Sequence, residues 1–313
     1  MTKPSAENQQ LAYSAGHFEV TIAGVRTLYV KSVDGGWPKQ DLVDDPTGAS
    51  GTRIQSGGKW DIDPITLDLG LSGTKEILKW IQSSWRNDPS ERDGEIVHAN
   101  FDKKKTLSHE FRGALIQETT FPTLDGSSRE SAFLKVKIQP HLVITKRETG
   151  AIDSGNTTGK MQKSWNSSHF RLRIDGLDEL KVNKIESFTI KQTINKYWVG
   201  VDKYPTLTPM NIKFPTLVCT TAEAYAGQIH DWFNTNAKNG YAGKTEKDVQ
   251  KSGSLEFLSS TGNVLFRIIL KKMKIIKYSV VASTANEEKV KRAKFELAVS
   301  EMDLDDNDTL GLA

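Results

Sequence analysis

Residues 17–25 read HFEVTIAGV, and residues 169–177 read HFRLRIDGL. In both stretches apolar and polar side chains alternate and a glycine follows, which is the pattern of a half-buried β-strand that runs into a turn. The two stretches lie 152 residues apart (169 − 17), close to half of the 313-residue chain. This spacing predicts that the chain is a tandem duplication.

The segments after each opening strand follow the same order in both halves. Residues 27–33 and 179–191 are predicted as second strands, and residues 60–69 and 208–217 as third strands. A short helix is predicted next, because apolar residues recur there at helical spacing. In the first half Thr74 is the predicted cap, and the apolar stripe is Ile77, Leu78, Ile81 and Trp85. In the second half Thr220 and Glu223 fit a capping box, and the stripe is Tyr225, Ile229 and Trp232.

The last third of each half is again rich in β-strand patterns. Residues 111–112 and 266–267 both read Phe-Arg, and residues 133–138 align with residues 295–299 as a closing strand. The predicted fold class is therefore mainly β, with two tandem β-barrel or β-sandwich domains that each carry one short α-helix. The alternative is a single large β-sandwich whose strands resemble one another only in composition.

The predicted domain organisation has five parts. They are an N-terminal arm (1–16), a first β domain (17–145), a linker rich in Gly, Ser, Thr and Asn (146–168), a second β domain (169–304) and an acidic C-terminal tail (305–313).

Composition excludes several classes of protein. The chain has 42 basic and 39 acidic side chains, a net charge of +3 that does not by itself indicate a nucleic-acid or membrane-surface protein. Cys219 is the only cysteine, so an internal disulfide and a multi-cysteine zinc site are excluded. No apolar stretch is long enough to span a membrane, and the polar N-terminus does not resemble a secretory signal peptide. No membrane anchor is expected.

No catalytic constellation stands out. Residues 155–160 read GNTTGK, but Ser154 and Met161 occupy places where a phosphate-binding loop needs Gly and a hydroxyl. The six histidines lack the spacing of a metal pair, and no nucleophile motif is present. The sequence therefore predicts a protein that is not an enzyme, with no metal site and no cofactor.

Three tryptophans lie in predicted loops, where packing in a core is less expected. They are Trp37, Trp165 and Trp198. Aromatic residues of this kind are enriched at protein interfaces. Trp165 and Trp198 are predicted to contact neighbouring subunits. A two-domain β-sandwich that uses these tryptophans to bind carbohydrate or another ligand is the alternative from a different functional class.

The arrangement resembles the tail tube proteins of contractile-tailed bacteriophages and extracellular contractile injection systems, here as a tandem duplication. The resemblance rests on the sequence IDGL at residues 174–177, on the apolar and basic strand at 264–278, and on the final strand KFELAVSEMDL at 294–304. It implies a small β-barrel flanked by one helix, as in the tube protein of type VI secretion. It also implies six barrels in a ring, and rings that stack into a tube.

The resemblance further implies partners and contacts for this chain. Two copies of the unit suggest a trimer with a pseudo-sixfold ring, or a hexamer in which one copy builds the tube. The long loop at residues 34–58 is expected to reach the adjacent ring through Trp37, Asp44, Asp45 and Arg53, whereas the second copy's loop at 192–206 is shorter. Deleting residues 44–50 should leave soluble protein but no long tubes.

The remaining expectations concern partners and location. Sheath and baseplate proteins are the expected partners outside the tube, and DNA or an effector is the expected cargo of its lumen. The expected location is a virion or injection particle that assembles in the bacterial cytoplasm. A baseplate hub or tube initiator that joins a trimeric spike to a sixfold tube is the alternative role.

Overall fold

The computed structural model describes residues 17–27, 30–45, 54–70, 75–152, 165–177, 180–200, 202–241, 250–281 and 290–305. The predicted arm (1–16), residues 153–164 of the predicted linker and residues 306–313 of the predicted tail lie outside these ranges. Within the described residues the chain is mainly β, with two α-helices, and the buried apolar side chains of both halves form one continuous core.

In the first half the described residues form a run of strands and one helix. These are β1 (His17–Ile22), β2 (Val25–Thr27), β3 (Val30–Asp34), β4 (Pro38–Asp45), β5 (Ile54–Ile62), β6 (Ile65–Leu69), α1 (Lys75–Trp85), β7 (Arg92–Ala99), β8 (Lys105–Phe121), β9 (Leu124–Asp125), β10 (Leu134–Gln139) and β11 (Leu142–Arg147). β11 extends two residues past the predicted domain boundary at 145, and the five predicted boundaries stay predictions.

The second half repeats this sequence of elements with fewer interruptions. They are β12 (Phe170–Ile174), β13 (Val182–Ile185), β14 (Phe188–Tyr197), β15 (Thr206–Lys213), β16 (Thr216–Ala222), α2 (Gly227–Tyr241), β17 (Lys251–Leu258), β18 (Val264–Val280) and β19 (Arg292–Leu304).

The two halves have the same strand order. In the first half β1, β7, β8, β10, β6 and β3 are neighbours in this sequence, and in the second half the sequence is β12, β17, β18, β19, β16 and β13. Each half adds one hairpin, β4–β5 or β14–β15, and one helix. The predicted fold class of two tandem, mainly β domains is confirmed, and the single large sandwich is not what the chain forms.

Two glycines fix how the later strands of the halves correspond. A Cβ added to Gly94 would lie 2.3 Å from the backbone oxygen of Thr21. A Cβ added to Gly253 would lie 2.1 Å from the backbone oxygen of Arg173, which is the residue equivalent to Thr21 at an offset of 152 (173 − 21). Glycine suits such a close approach of two strands because it has no side chain. Gly94 and Gly253 are therefore equivalent, at an offset of 159 (253 − 94).

This offset corrects the alignment of the last strands. Phe111 is the Cα partner of Gly94, and Leu270 is the Cα partner of Gly253. Phe111 therefore corresponds to Leu270, and its predicted match with Phe266 is wrong by four residues (270 − 266). The offset grows from 152 to 159 because the second half has seven more residues between its helix and the glycine. At this offset residues 133–138 correspond to 292–297, so the predicted match of residue 133 with 295 is displaced by three residues in the opposite direction (295 − 292). The repeated Phe-Arg pair is a coincidence of sequence.

Proline divides three segments that read as continuous strands. Pro64 separates β5 from β6, and Pro215 separates β15 from β16. The predicted third strand of each half is therefore two strands, of which the first belongs to the hairpin and the second to the main sheet of that half. Pro140 separates β10 from β11, whereas β19 continues without a break at the equivalent place. Proline has no N–H for a strand ladder, and it therefore marks the point where each segment changes partners.

The predicted loop at residues 34–58 is wrong. β4 and β5 pair there as an antiparallel hairpin, and β14 and β15 form the equivalent hairpin in the second half. Residues 46–53, between β4 and β5, lie outside the described residues, so the shorter second loop stays a prediction. Gly and Asp are infrequent in strands, and their abundance concealed a hairpin in which the strand ladder pairs the backbone groups.

Both helices bury an apolar stripe, but the second starts later than predicted. Ile77, Leu78, Ile81 and Trp85 of α1 are buried, as predicted, and the predicted cap Thr74 lies outside the described residues. Thr220 belongs to β16 and pairs with Lys294, so the predicted capping box is wrong. A short 3₁₀ turn (Glu223–Tyr225) precedes α2, which explains why Tyr225 is exposed while Ile229 and Trp232 are buried.

Trp165 corrects the prediction of a contact with another subunit. Its side chain is buried in the continuous core, where its ring packs edge-on against Phe257 and Phe266. Its backbone oxygen accepts a hydrogen bond from the N–H of Ala132, with 2.7 Å between the two atoms. The end of the predicted linker is thus part of the fold, because removing the large aromatic side chain of Trp165 from water is strongly favourable.

Candidate assembly interface

The two domains join by adding a strand from one to the sheet of the other. β14 of the second domain pairs with the end of β8 of the first, with Phe188 opposite Phe121 and Lys191 opposite Glu118. β9 of the first domain pairs in return with β13 of the second. Both exchanges cover a strand edge whose N–H and C=O groups would otherwise lack a ladder partner. The junction is therefore a β-sheet addition within one chain.

Side chains reinforce the β8–β14 pair on both of its faces. The hydroxyl oxygens of Thr120 and Thr189 are 2.9 Å apart, and the Lys191 ammonium lies 3.2 Å from the Glu118 carboxylate. The ring of Phe121 stacks on that of Phe188, with 4.9 Å between their centroids. Cross-strand pairs of these kinds stabilise an antiparallel ladder. Apolar, polar and charged contacts therefore all specify the same register.

Helix α1 adds a buried polar contact to the junction. The hydroxyl of Ser84 donates a hydrogen bond to the side-chain oxygen of Gln192 at 2.7 Å, and both residues are buried. Nearby, Gln82 donates to the backbone oxygen of Leu304, and Arg86 pairs with Asp303 at 2.9 Å. Buried polar groups are costly unless they are paired, so this face of α1 requires the second domain.

The two hairpins lie side by side at one end of the junction. The Lys196 ammonium is 2.6 Å from the Asp61 carboxylate, and the indole N–H of Trp198 donates to the backbone oxygen of Trp60 at 3.1 Å. The ammonium groups of Lys59 and Lys203 lie over the rings of Trp198 and Trp60. Trp198, which was predicted to join two subunits, therefore joins the two domains of one chain.

The residues predicted for an inter-ring loop do not form one cluster. Trp37 precedes β4 and is half exposed, whereas Asp44 and Asp45 are the last two residues of that strand. Eight strand residues cover roughly 25 Å, so Trp37 lies far from the hairpin tip. Arg53 lies outside the described residues. Leu42 and Val43, both exposed, are the apolar residues beside Asp44 that the prediction missed.

Trp37 instead covers a pair of histidines. Its ring stands edge-on to that of His109 with 4.4 Å between centroids, and the ring of His98 lies 5.4 Å from that of His109. The Nδ1 atom of His109 is 2.9 Å from the hydroxyl oxygen of Thr145. Burial lowers the pKa of His98, and burial followed by the nearby charge of His98 lowers the pKa of His109.

These histidines predict an acid-sensitive first domain. Unfolded histidine protonates near pH ~6.5, whereas the folded chain holds the neutral forms to a lower pH, so the free energy of unfolding should decrease as the pH falls through that value. His109→Ile, which introduces the residue type of the equivalent Ile268, should reduce this loss. The exposed His230→Ala serves as the control. Thermal unfolding from neutral to acid pH measures the effect, and an unchanged pH dependence in His109→Ile would contradict it.

The described residues offer no other chemical centre. Among them, no group of three or more His, Cys, Asp or Glu side chains could hold a metal ion. Burial raises the pKa of the Cys219 thiol, which keeps it protonated and unreactive. In the described part of the chain no helix has the length and apolar character of a membrane span.

The first domain, which contains the β4–β5 hairpin, matches a known family by sequence. Residues 14–142 match the family model of the T4-like virus tail tube protein gp19. The first domain belongs to the tail tube protein family. The second tail tube-like domain repeats its strand order beyond the matched residues. Because this family is structural, the chain is a structural protein and not an enzyme.

Several solved structures contain similar chains. One chain of the PVC sheath-tube complex, an extracellular contractile injection system in its extended state, is 21% identical, with a TM-score of 0.40 over 47% of this chain and 100% of that one. A chain of the anti-feeding prophage cap is 20% identical, with a TM-score of 0.39 over 44% and 93%. Hcp1 from Flavobacterium johnsoniae is 11% identical, with a TM-score of 0.26 over 44% and 94%. No curated protein sequence matches the chain.

Sequence reasoning missed the residues that join the domains. Ser84, Gln192 and Asp61 are ordinary polar residues in their local context, and no spacing marks them as partners. One signal was available, because Gln40 and Gln192 lie 152 residues apart (192 − 40) and repeat the same residue type at an equivalent place.

Proposed function

We propose that the chain is the subunit of rings that stack into the inner tube of a phage tail or contractile injection particle. The junction between the two domains supports this proposal most strongly, because it joins two tube-type domains by one added strand. A junction of this kind can repeat from chain to chain, since exposed sheet edges pair with any matching strand. Head-to-tail contacts that close by rotation form rings.

A ring of six domains needs three chains, because each chain supplies two. We therefore propose a trimer with a pseudo-sixfold ring. The alternative is a hexamer in which one domain of each chain builds the tube and the other decorates it. In either case the β4–β5 hairpin is the proposed contact to the next ring. Its exposed Leu42 and Val43 lie on the surface that stacking would cover. Asp44, Asp45 and Arg53, which follow them in sequence, stay proposed contacts.

The remaining parts of the proposal follow from this assembly. The stacked rings enclose a channel for DNA or an effector, a sheath surrounds the tube, and a baseplate starts it. The particle is a virion tail or an injection particle whose parts assemble in the bacterial cytoplasm.

Electron microscopy of the purified full chain tests the proposed function. Rings with a central hole, alone or stacked into tubes, are the expected result. Rings that never stack would favour the hub or tube-initiator role instead. A uniform monomer at every concentration, without rings or tubes, would overturn the proposal and favour a two-domain ligand-binding protein.

Shortening the β4–β5 hairpin should separate ring formation from stacking. Asp45 and Ile54 are Cα partners, so an Asn-Gly turn in place of residues 46–53 would join the two strands without changing their register. We expect rings in normal yield and few or no tubes in micrographs. Circular dichroism controls for folding, and tubes of unchanged length would contradict an inter-ring role for this hairpin.

A further inference from the structure

The structure contains a template for the contact between neighbouring chains. We infer that residues 36–39, which lead into β4 and include its first two residues, pair with the end of β18 in another copy of this chain, in the register of β14 and β8 within the chain. This inference rests on the proposed ring-forming function and adds the partner strands and their alignment. It is derived from the two offsets that relate the domains, 152 residues up to the helix and 159 residues after it.

The first step concerns the receiving edge. In the first domain, residues 118–121 of β8 pair with β10 on one side and with β14 on the other. The equivalent residues 277–280 of β18 pair with β19 on one side. On the other side β17 begins at Lys251, opposite Met273, and no described strand pairs with residues 277–280. The pairing of β8 with β14 within the chain is called the closed junction below. Phe121 is buried in it, whereas the equivalent Val280 is 51% exposed. The second domain therefore has the same edge, and among the described residues no strand covers it.

The second step concerns the strand that would cover this edge. β4 is equivalent to β14 at an offset of 152, and each strand has its register shift at the same place in its hairpin. Ile190 and Gln192 of β14 are buried against the first domain. The equivalent Pro38 and Gln40 of β4 are exposed. Residues 37–40 are exposed, whereas Gly36 is buried and its N–H donates to the backbone oxygen of Asp63 at 3.1 Å. In the first domain the exposed part of the inserting segment therefore begins at Trp37.

The third step is a buried amide without a partner. Ser84 of α1 holds Gln192 in the closed junction, and the residue equivalent to Ser84 in α2 is Asn236 (236 − 84 = 152). Asn236 is 9% exposed, and neither its side-chain oxygen nor its nitrogen has a hydrogen-bond partner among the described residues. An unpaired buried amide is costly. The side-chain nitrogen of Gln40, equivalent to Gln192, donates one hydrogen bond to the backbone oxygen of Gly58 at 3.1 Å in its own hairpin. Its second N–H and its side-chain oxygen would be the donor and acceptor for Asn236 of another copy.

The fourth step is the charge beside the hairpins. Lys196 and Asp61 form the closed ion pair, and their equivalents are Asp44 and Lys213 at the same offset of 152. The signs are exchanged, yet the pair again consists of opposite charges. This is a property of the sequence alone, and the three steps above carry the inference.

The proposed junction between β18 of one chain and residues 36–39 of another, called the open junction, is less apolar than the closed junction. Val280 and Gly36 replace the stacked Phe121 and Phe188, so less apolar area would be buried. Lys277 and Lys39 replace the pair of Glu118 and Lys191, and each already has a carboxylate partner in its own chain, Glu296 at 3.2 Å or Asp63 at 2.8 Å. The chain is therefore expected to fold around the closed junction first and to join other chains reversibly afterwards.

Paired cysteines test the proposed register. Thr120 and Thr189 are opposite each other in the closed junction, and their equivalents are Ser279 and Trp37. Under mild oxidation the variant Trp37→Cys/Ser279→Cys is expected to give covalent dimers and trimers on non-reducing gels, because cysteines at directly opposed positions meet the distance that a disulfide needs. Thr120→Cys/Thr189→Cys should form a disulfide within one chain and remain a monomer. The buried Cys219 should not interfere.

Two comparisons make the result decisive. Leu42→Cys/Ser279→Cys keeps two accessible cysteines but moves one of them five residues along β4, and little cross-linking is expected. A mixture of the two single variants should stop at dimers. Rings in micrographs without cross-linking of Trp37→Cys/Ser279→Cys would overturn the register and leave the proposed function standing. Absence of any assembly would overturn both.

Discussion

Replacing Trp165 by alanine is expected to lower the free energy of unfolding by about 3–5 kcal/mol. The side chain is 2% exposed, and its ring centroid lies 5.2 Å from that of Phe257 and 5.8 Å from that of Phe266. Its backbone is tied to Ala132 of the first domain. The substitution therefore removes a large ring from the place where the core passes from one domain to the other, and the cavity that remains cannot collapse fully.

Urea denaturation of the unassembled chain measures this loss. Phe101→Ala is the matched control, because Phe101 is an aromatic residue with 76% exposure, and a change of less than ~0.5 kcal/mol is expected. A residue that only joined subunits would behave differently when replaced. It would weaken assembly and leave the unfolding of separate chains unchanged, and such a result for Trp165→Ala would contradict its place in the core.

Gly253→Ala and Gly94→Ala are each expected to destabilise the chain by about 1–3 kcal/mol, because an added Cβ would overlap atoms of a packed strand. At Gly253 the nearest atom is the backbone oxygen of Arg173 at 2.1 Å. At Gly94 two atoms lie 2.3 Å away, the backbone oxygen of Thr21 and the ring Cζ of Phe111. A backbone oxygen cannot rotate away as a side chain can. The two strands must separate, and their ladder hydrogen bonds must lengthen.

Thermal unfolding compares these variants with Gly227→Ala. Gly227 begins α2 and has no atom within 4 Å of an added Cβ, so alanine there is expected to be neutral or slightly stabilising. Similar losses at residues 94 and 253 would agree with the equivalence of the two positions. A neutral Gly253→Ala would contradict the close approach of β12 and β17 and the offset of 159 that depends on it.

The predictions that succeeded concern local patterns. The opening strands and the buried stripe of α1 could be predicted because alternation and helical spacing appear within about ten residues. The predictions that failed concern partners. Phe111 was aligned with Phe266 because a dipeptide was repeated, whereas the strand opposite each residue shows that Leu270 is its equivalent. The β4–β5 hairpin was missed because Gly and Asp are typical of loops, and pairing between the strands overrides that preference.

Trp165 and Trp198 show the same division at single residues. Both residues lie outside helices and strands, as predicted, but this position suggested that their side chains would be exposed. The structure places Trp165 in the core and Trp198 against the backbone of Trp60, because residues distant in sequence surround them. Burial of a side chain depends on the distant residues that pack against it, and a local sequence pattern does not identify those residues.

The amino-acid sequence by itself determined that the chain is mainly β and duplicated, since a repeated alternation of apolar and polar residues is a property of each segment alone. Only the tertiary structure decided that one sheet edge is covered within the chain while its counterpart stays open. The physical reason is that a strand edge is closed by backbone hydrogen bonds to a distant segment, as between Thr120 and Thr189, and almost any side chains can accompany those bonds.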